Sequence, residues 1–195
     1  MTILETFTTS ARRAVVEAGI GALHAGHARL GTDFLLLGLT EVEAAAPTLG
    51  RHGVSPATVR TEIDRSPAAA LRRRDRELLA TLGIDLDEIR RRAWDSAAVQ
   101  PDDPRLWELR RSPVRPLRLT LAGPAGAITL TGRGRKVIEV ASWAARKTGR
   151  SAPITGEHLL WGLLADRSNE SVQILRRLGV DLSAVWHDLQ GRRAA

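Results

Sequence analysis

Two short segments of this chain carry the residues whose types and spacing best suit ligand binding. Gly31-Thr32-Asp33 and Thr155-Gly156-Glu157 each place small polar residues and an acid just before an apolar run that contains Gly-Leu. A small polar residue satisfies the free amides of a helix start, and an acid in the first turn suits the positive end of the helix dipole. The two acids lie 124 positions apart (157 − 33), so the segments indicate an internal duplication.

A second helix start precedes each of these segments. Thr8 opens a run that has Ala11 and Ala14 at helical spacing, and Thr131 stands in the matching place 123 positions later (131 − 8). Two converging helix starts point free amides at one spot, which suits an anion, and a nearby carboxylate suits a guanidinium. Together they would hold a phosphorylated arginine side chain. The simpler alternative is that these residues only cap helices.

The end of the duplicated unit occurs three times. His52-Gly53-Val54 closes the first unit and Leu178-Gly179-Val180 closes the second, and each is followed by a polar residue that can cap another helix. Leu82-Gly83-Ile84 repeats this signature between the units. The third occurrence therefore predicts an inserted helix pair, with helices over residues 70–82 and 85–94.

The rest of the middle region has no helical pattern. Residues 100–116 contain four prolines, which predicts a linker or an irregular loop. Residues 117–131 alternate apolar and polar side chains around Gly-Pro-Ala-Gly, which favours a short β-hairpin, with an extended linker as the alternative.

These patterns predict an all-α protein with two pseudo-symmetric helical repeats, an inserted helix pair and, where residues 117–131 pair, a short β-hairpin. We place the first repeat at residues 1–64, the insert at 65–129 and the second repeat at 130–191. Residues 24–30 are predicted to form a turn, and the third helix is predicted to span residues 43–52. The segments Leu35–Leu37 and Leu159–Trp161 are predicted to lie in the core.

The motifs and their order resemble the Clp N-terminal domain, the double helical repeat at the front of ClpA- and ClpC-type AAA+ unfoldases. The family pattern is FT-x-RA-x-x-V, then H-x-x-IGTEHLLLGL, then LG-V-L-x-x-V, and the resemblance covers roughly residues 5–64 and 130–190. It implies a non-enzymatic protein that binds peptides or tagged proteins, or that regulates a ClpC-type unfoldase. A decoy that binds cyclic peptides aimed at the unfoldase N-domain is an alternative implied by the same resemblance.

The resemblance also implies site residues. In some ClpC-type relatives this domain binds phosphoarginine through the Thr of FT and the Glu of GTE. These positions are Thr8 and Asp33 in the first repeat, and Thr131 and Glu157 in the second. Asp33 is one methylene shorter than the family's Glu, so the second repeat is the better candidate. Arg133 and its neighbour Arg135 add positive charge nearby.

Other classes of chemistry find no support in the sequence. It contains neither a GxxxxGK[ST] phosphate loop nor a GxSxG nucleophile motif, and it has no cysteine. Its histidines show no metal-binding spacing, and they lie at His24, His27, His52, His158 and His187. We therefore expect no enzyme activity, cofactor or metal. Without an apolar run long enough for a membrane span, we expect a cytoplasmic protein.

The net charge of +7 leaves one rival function open. Arginine is concentrated in residues 65–118 and 132–150, which also fits a nucleic-acid-binding regulator. Aromatic residues do not alternate with this charge, so the rival is the weaker interpretation. Trp94 and Trp107 flank the prolines at 101 and 104 and are expected to pin this stretch to the body of the protein, with contact to a partner as the alternative.

Overall fold

The computed structural model describes residues 3–42, 45–86, 88–89, 92, 103–114, 118–149 and 151–191. Over these residues the chain is mostly helical and carries one small sheet. A 3₁₀-helix at Ile3–Thr6 opens the chain. The first half then contains α1 (Thr9–His24), β1 (Arg29–Leu30), α2 (Thr32–Glu41), α3 (Pro47–Arg51) and α4 (Pro56–Asp64).

The middle region contains α5 (Pro67–Thr81), a 3₁₀-helix (Pro104–Leu106), β2 (Glu108–Arg111), β3 (Leu119–Gly123) and β4 (Gly126–Leu130). The second half contains α6 (Gly132–Thr148), α7 (Gly156–Leu164), α8 (Glu170–Arg177) and α9 (Leu182–Gly191). The predicted helix over residues 85–94 falls largely outside the described residues. Those described within its span from Leu86 onward (Leu86, Glu88, Ile89 and Arg92) are helical.

The β-hairpin predicted near residues 117–131 is present as β3 and β4, but the sheet is larger than expected. Its strands run in the order β1-β4-β3-β2, with β1 parallel to β4 and the other pairs antiparallel. The prediction of an all-α protein was therefore wrong in this region. Strand β2 lies in the stretch predicted to be irregular, because its prolines flank the strand and Leu109 pairs with Leu121. Strand β1 replaces part of the turn predicted at residues 24–30.

The sheet packs on the second half of α1. Gly19 and Gly21 both lie in this part of the helix, and α1 continues through them. The reason at Gly19 is contact with the sheet, since a Cβ there would lie 2.3 Å from Leu121 Cδ2. Burial of Leu121 and Ile128 against α1 offsets the lower helix propensity of glycine.

The Gly-Leu that ends each apolar run allows two helices to cross closely. A Cβ on Gly38 would lie 2.1 Å from the Ala14 carbonyl oxygen, and one on Gly162 would lie 2.5 Å from the Val137 carbonyl oxygen. Helix α2 thus packs on α1, and α7 packs on α6. The predicted core segment Leu35–Leu37 is buried.

The second predicted core segment is only partly interior. Leu159 and Leu160 are buried, whereas Trp161 lies at the edge of the core. There its ring stacks on Trp186, with ring centroids 4.1 Å apart.

Helix α3 begins at Pro47, later than the predicted start at residue 43, and residues 43–44 lie outside the described residues. Proline has no amide hydrogen to donate and fits the first turn of a helix, where such a donor is not needed. The late start brings Thr48 into the first turn of α3.

The predicted threefold closing motif has the same backbone geometry in each copy. Gly53, Gly83 and Gly179 have φ of +73°, +76° and +73°, the left-handed conformation that ends a helix. The amide of the next residue donates to the carbonyl five residues earlier in every copy, at 3.0 Å. These bonds join Val54 to Leu49, Ile84 to Leu79 and Val180 to Leu175.

Candidate functional site at the helix starts

Thr8 and Thr131 cap the starts of α1 and α6 as the sequence predicted. The Thr8 hydroxyl accepts from the Ala11 amide at 3.3 Å, and the Thr131 hydroxyl accepts from the Gly134 amide at 3.0 Å. Both threonines are half-buried, and the residues that follow them, Thr9 and Gly132, are exposed. The residue that opens each helix therefore lies at the surface, where a helix start can meet an anion.

The structure pairs these helix starts across the two halves of the chain. The Thr8 amide donates to the Ile154 carbonyl, next to the start of α7, at 2.9 Å. The Thr131 amide donates to the Leu30 carbonyl, next to the start of α2, also at 2.9 Å. Thr8 thus neighbours the segment that carries Glu157, and Thr131 neighbours the segment that carries Asp33. The sequence had grouped the same residues within each half.

Glu157 fastens the start of α7 to the first half. Its Oε1 accepts from the Thr48 amide at 3.3 Å and from the Thr48 hydroxyl at 2.9 Å. Arg51 Nη2 donates to the same hydroxyl at 3.0 Å. Gly156 lies directly against the chain that leads to α3, because a Cβ there would be 1.9 Å from the Ala45 carbonyl oxygen. The first turn of α7 is therefore covered, and one oxygen of the candidate acid is already bound.

Asp33 occupies the equivalent place on α2 but behaves differently. Its carboxylate folds back over the start of its own helix, since a Cβ on Gly31 would lie 2.3 Å from Asp33 Oδ1. Burial raises the pKa of the Asp33 carboxyl above its usual value, against the opposing effects of the Phe34 amide, its own amide and the Arg72 charge. A buried carboxylate that folds back over its own helix start is less accessible to a guanidinium than an exposed one.

Ser171 has the same place at the start of α8 that Thr48 has at the start of α3, because each is the second residue of its helix. The Ser171 amide donates to Thr32 Oγ1 at 3.3 Å, not to the carboxylate of Asp33. In the part of the chain that the structure describes, the buried Ser171 hydroxyl has no hydrogen-bond partner. The shorter acid at position 33 therefore leaves a contact incomplete that Glu157 makes in the other half.

The sequence reasoning missed the role of Thr48 and Ser171. Each bears a hydroxyl, and they lie 123 positions apart (171 − 48). This spacing matches that of the two N-cap threonines, Thr8 and Thr131. The recurrence of a hydroxyl at this spacing was the signal in the sequence that could have identified the two residues. It indicates a contact between the halves and not a ligand.

Among the charged and aromatic candidates, Arg135 and Trp107 contact other residues of the protein. Arg135 Nη1 donates to Glu139 on the same helix at 3.0 Å, while Arg133 is exposed. Trp107, just before β2, is buried against Gly123 of β3, so it pins this part of the proline-rich stretch to the sheet, as expected. Trp94 lies outside the described residues.

Two histidines lie close to the starts of α2 and α7. His158 Nδ1 accepts from the Thr155 amide at 3.1 Å and completes the cap of α7. The His27 ring contacts Phe34 edge-on, with centroids 4.5 Å apart. Burial, and then the charge of Arg72, lower the pKa of His27 to about 4. Among the described residues, no group of three or more histidines and acids is placed to hold a metal ion.

Comparison with known families agrees with the geometry of the first half. Residues 6–68 match the Clp repeat (R) N-terminal domain family. This stretch of the chain, about a third of it, is therefore similar to a Clp N-terminal repeat. No curated protein matches the chain.

The Clp match ends within the first turn of α5. It includes Thr8, Asp33 and Thr48, whereas Thr131 and Glu157 lie beyond it. The match to the Clp repeat indicates a Clp-related role in protein interaction. None of the described helices is long and apolar enough to cross a membrane.

Proposed function

We propose that this protein is a non-enzymatic Clp N-domain-like protein that binds peptide or protein ligands at the paired helix starts. Its two halves act as equivalent repeats, and the ligand is a protein side chain that carries an anionic tag, with phosphoarginine as the leading candidate. Through such binding the protein would recruit substrates to a ClpC-type unfoldase or regulate that unfoldase.

The observation that carries the proposal is the matching pair of hydrogen bonds between helix starts. The bonds from Thr8 to Ile154 and from Thr131 to Leu30 have the same length, 2.9 Å, and equivalent positions. Each sets a solvent-facing helix start beside a segment that ends in an acid. An amide-lined anion site next to a carboxylate is the arrangement that a phosphorylated guanidinium requires.

The crossed arrangement specifies which residues act together. Thr8 and Glu157 would form one pocket, and Thr131 and Asp33 the other. The first pocket is the stronger candidate, because the Asp33 carboxylate folds back over its own helix start. A ligand at Glu157 must share the carboxylate with Thr48 or displace it, so we expect modest affinity.

Calorimetric titration of the protein with free phosphoarginine tests this proposal, with unmodified arginine as the control ligand. We expect saturable binding that is lost in both Thr8→Ala and Glu157→Ala and kept in Thr131→Ala. The control Glu139→Ala removes a partly exposed acid on α6 and should bind like the unsubstituted protein. Absence of heat at millimolar phosphoarginine would overturn the phosphoarginine pocket. Joint loss in Thr131→Ala and Glu157→Ala would instead overturn the crossed grouping.

A further inference from the structure

The closing motif forms a pair of helices in each of its three copies. We call these closing pair 1 (α3 and α4), closing pair 2 (α8 and α9) and closing pair 3 (α5 and the helical residues described between 86 and 92). Val59, Val185 and Ile89 occupy the same position in the second helix of each pair. Val59 and Val185 are 0% exposed, whereas Ile89 is 54% exposed. Closing pair 3 therefore exposes to solvent a position that is buried in the other two pairs.

The same contrast holds along α5. Leu71, Leu78 and Leu82 form a stripe on one side of this helix and are 63%, 56% and 74% exposed. Leu78 lies five residues before the closing glycine, and the residues five before the closing glycines of the other pairs, Thr48 and Ile174, are fully buried at 0%. A stripe of large apolar side chains in water is unusual for a surface helix and marks an interaction surface.

Helix α5 directs its polar side toward the protein body. Ala69 is buried, and Arg72 and Arg76 are half-buried. Arg72 lies near enough to His27 and Asp33 for its charge to affect the pKa of both. Because the opposite side of α5 faces the protein body, the apolar stripe faces solvent.

Closing pairs 1 and 2 have this surface covered. They pack on each other, with α3 against α9 and α4 against α8, and α4 and α8 also pack on α2. Two ion pairs join them at equivalent positions. Arg51 contacts Asp188 at 3.6 Å, and Arg177 contacts Glu62 at 2.7 Å. In each direction an arginine from the first helix of one pair therefore meets an acid from the second helix of the other.

Closing pair 3 has Thr81 in place of the arginine and Arg92 in place of the acid. Arg92 forms an ion pair with Glu88 at 2.7 Å. Packing against closing pair 1 or 2 of another molecule would add Arg51 or Arg177 beside it, and a further positive charge at an interface disfavours a complex. Packing against a second closing pair 3 would set Arg92 against Thr81, with no like-charge contact. The charge pattern thus selects a second copy of the same surface.

We propose that the chain forms a homodimer in which two copies of closing pair 3 pack as closing pairs 1 and 2 pack within one chain. The interface is isologous, so the same residues face each other across a two-fold axis. Leu78, Leu82, Ile84 and Ile89 supply its apolar centre. Each dimer then presents two sets of Clp-type helix starts, one from each chain.

Analytical ultracentrifugation of the full chain over a range of concentrations tests the dimer. We expect a monomer–dimer equilibrium that Leu78→Glu and Leu82→Glu each weaken at least tenfold, because a buried unpaired carboxylate opposes association. The matched control is Leu106→Glu, which places the same charge at a leucine that is 42% exposed outside this surface. The control should leave the dissociation constant unchanged.

A second pair of variants tests the symmetry and does not depend on burying a charge. Thr81→Arg sets arginine against Arg92 across the proposed axis and should weaken the dimer about threefold or more. Adding Arg92→Glu recreates the arginine–acid contacts of closing pairs 1 and 2 and should restore association. Both positions are exposed, so the monomer fold should survive these changes.

Two results would overturn the proposal. One is a protein that stays monomeric at the highest concentration measured. The other is a dimer that persists unchanged in Leu78→Glu and Leu82→Glu, since the contact must then lie elsewhere on the chain.

Discussion

The starts of α2 and α7 occupy equivalent places in the two halves of the molecule, yet they are fastened in different ways. At α7, Glu157 reaches Thr48 and accepts both its amide and its hydroxyl. At α2, the shorter Asp33 folds back on its own helix. The Ser171 amide donates instead to the hydroxyl of Thr32.

This difference of one methylene separates two roles of an acid at a helix start. A carboxylate that crosses to the other half ties the halves together through charge-assisted hydrogen bonds. A carboxylate that stays at its own helix start serves the dipole and caps amides locally. In this chain the first role falls to Glu157 and the second to Asp33, so the starts of α7 and α2 are held by different contacts.

Among the substitutions that test this difference, Gly156→Ala should have the largest effect on the free energy of unfolding. The added Cβ in Gly156→Ala would lie 1.9 Å from the Ala45 carbonyl oxygen, which is backbone and cannot rotate away. We expect the free energy of unfolding to fall by about 3 kcal/mol, measured by urea denaturation. Gly132→Ala is the control, because Gly132 is also the first residue of its helix and has no atom within 4 Å of the added Cβ. Similar stability of both variants would show that the chain before α3 moves aside without cost.

Removal of the Glu157 carboxylate should come next in size. Glu157→Ala leaves the Thr48 amide and hydroxyl without this acceptor, so we expect a loss of about 2 kcal/mol in urea denaturation. The control Glu139→Ala breaks an ion pair with Arg135 inside one helix and should cost no more than about 0.5 kcal/mol. If both variants lost the same amount, Glu157 would not fasten the halves.

The local signals in the sequence predicted these helix starts well. Thr8 and Thr131 were identified as caps because a threonine before an apolar run has one dominant use, and both form the expected bond. The glycine turns at Gly53, Gly83 and Gly179 were predicted for the same reason, since the left-handed conformation at a helix end depends on the nearest residues.

What the sequence could not predict depends on contacts between distant residues. Strand β1 has two residues, too few for an alternating pattern, and it exists because β4 pairs with it. The crossing of helix starts follows from that pairing and from the bridge between Phe7 and Ile154. The link from Glu157 to Thr48 likewise joins the halves, and no local pattern encodes it.

Lengthening Asp33 should make the two halves alike. In Asp33→Glu the carboxylate gains the methylene that lets Glu157 reach Thr48, so it can accept from the Ser171 hydroxyl, which lacks a partner among the described residues. We expect a gain of about 1 kcal/mol in unfolding free energy. The gain should disappear in the double variant Asp33→Glu with Ser171→Ala. A gain of the same size in the double variant would assign the effect to helix capping.

The smallest expected effect is a pH response confined to the first half. His27 has a pKa of about 4 in the folded chain, below its usual 6.5. The unfolded chain therefore binds a proton first as the pH falls, so stability from neutral His27 is present above pH 6.5 and is lost toward pH 4. Because the ring is only partly buried, we expect a loss of about 0.5–1 kcal/mol between about pH 7 and 5.5.

Thermal unfolding of the unsubstituted protein and of His27→Leu at these two pH values separates this contribution from the rest of the chain. The leucine variant should lose less stability on acidification, since it removes the only titrating group at that position. Asp33 acts in the opposite direction. Its raised pKa gives it stability below its usual 3.8 that is lost as the pH rises through the raised value. An identical acid response in both proteins would mean that His27 gains its proton in the folded chain as readily as in the unfolded one, and that the start of α2 opens to water there.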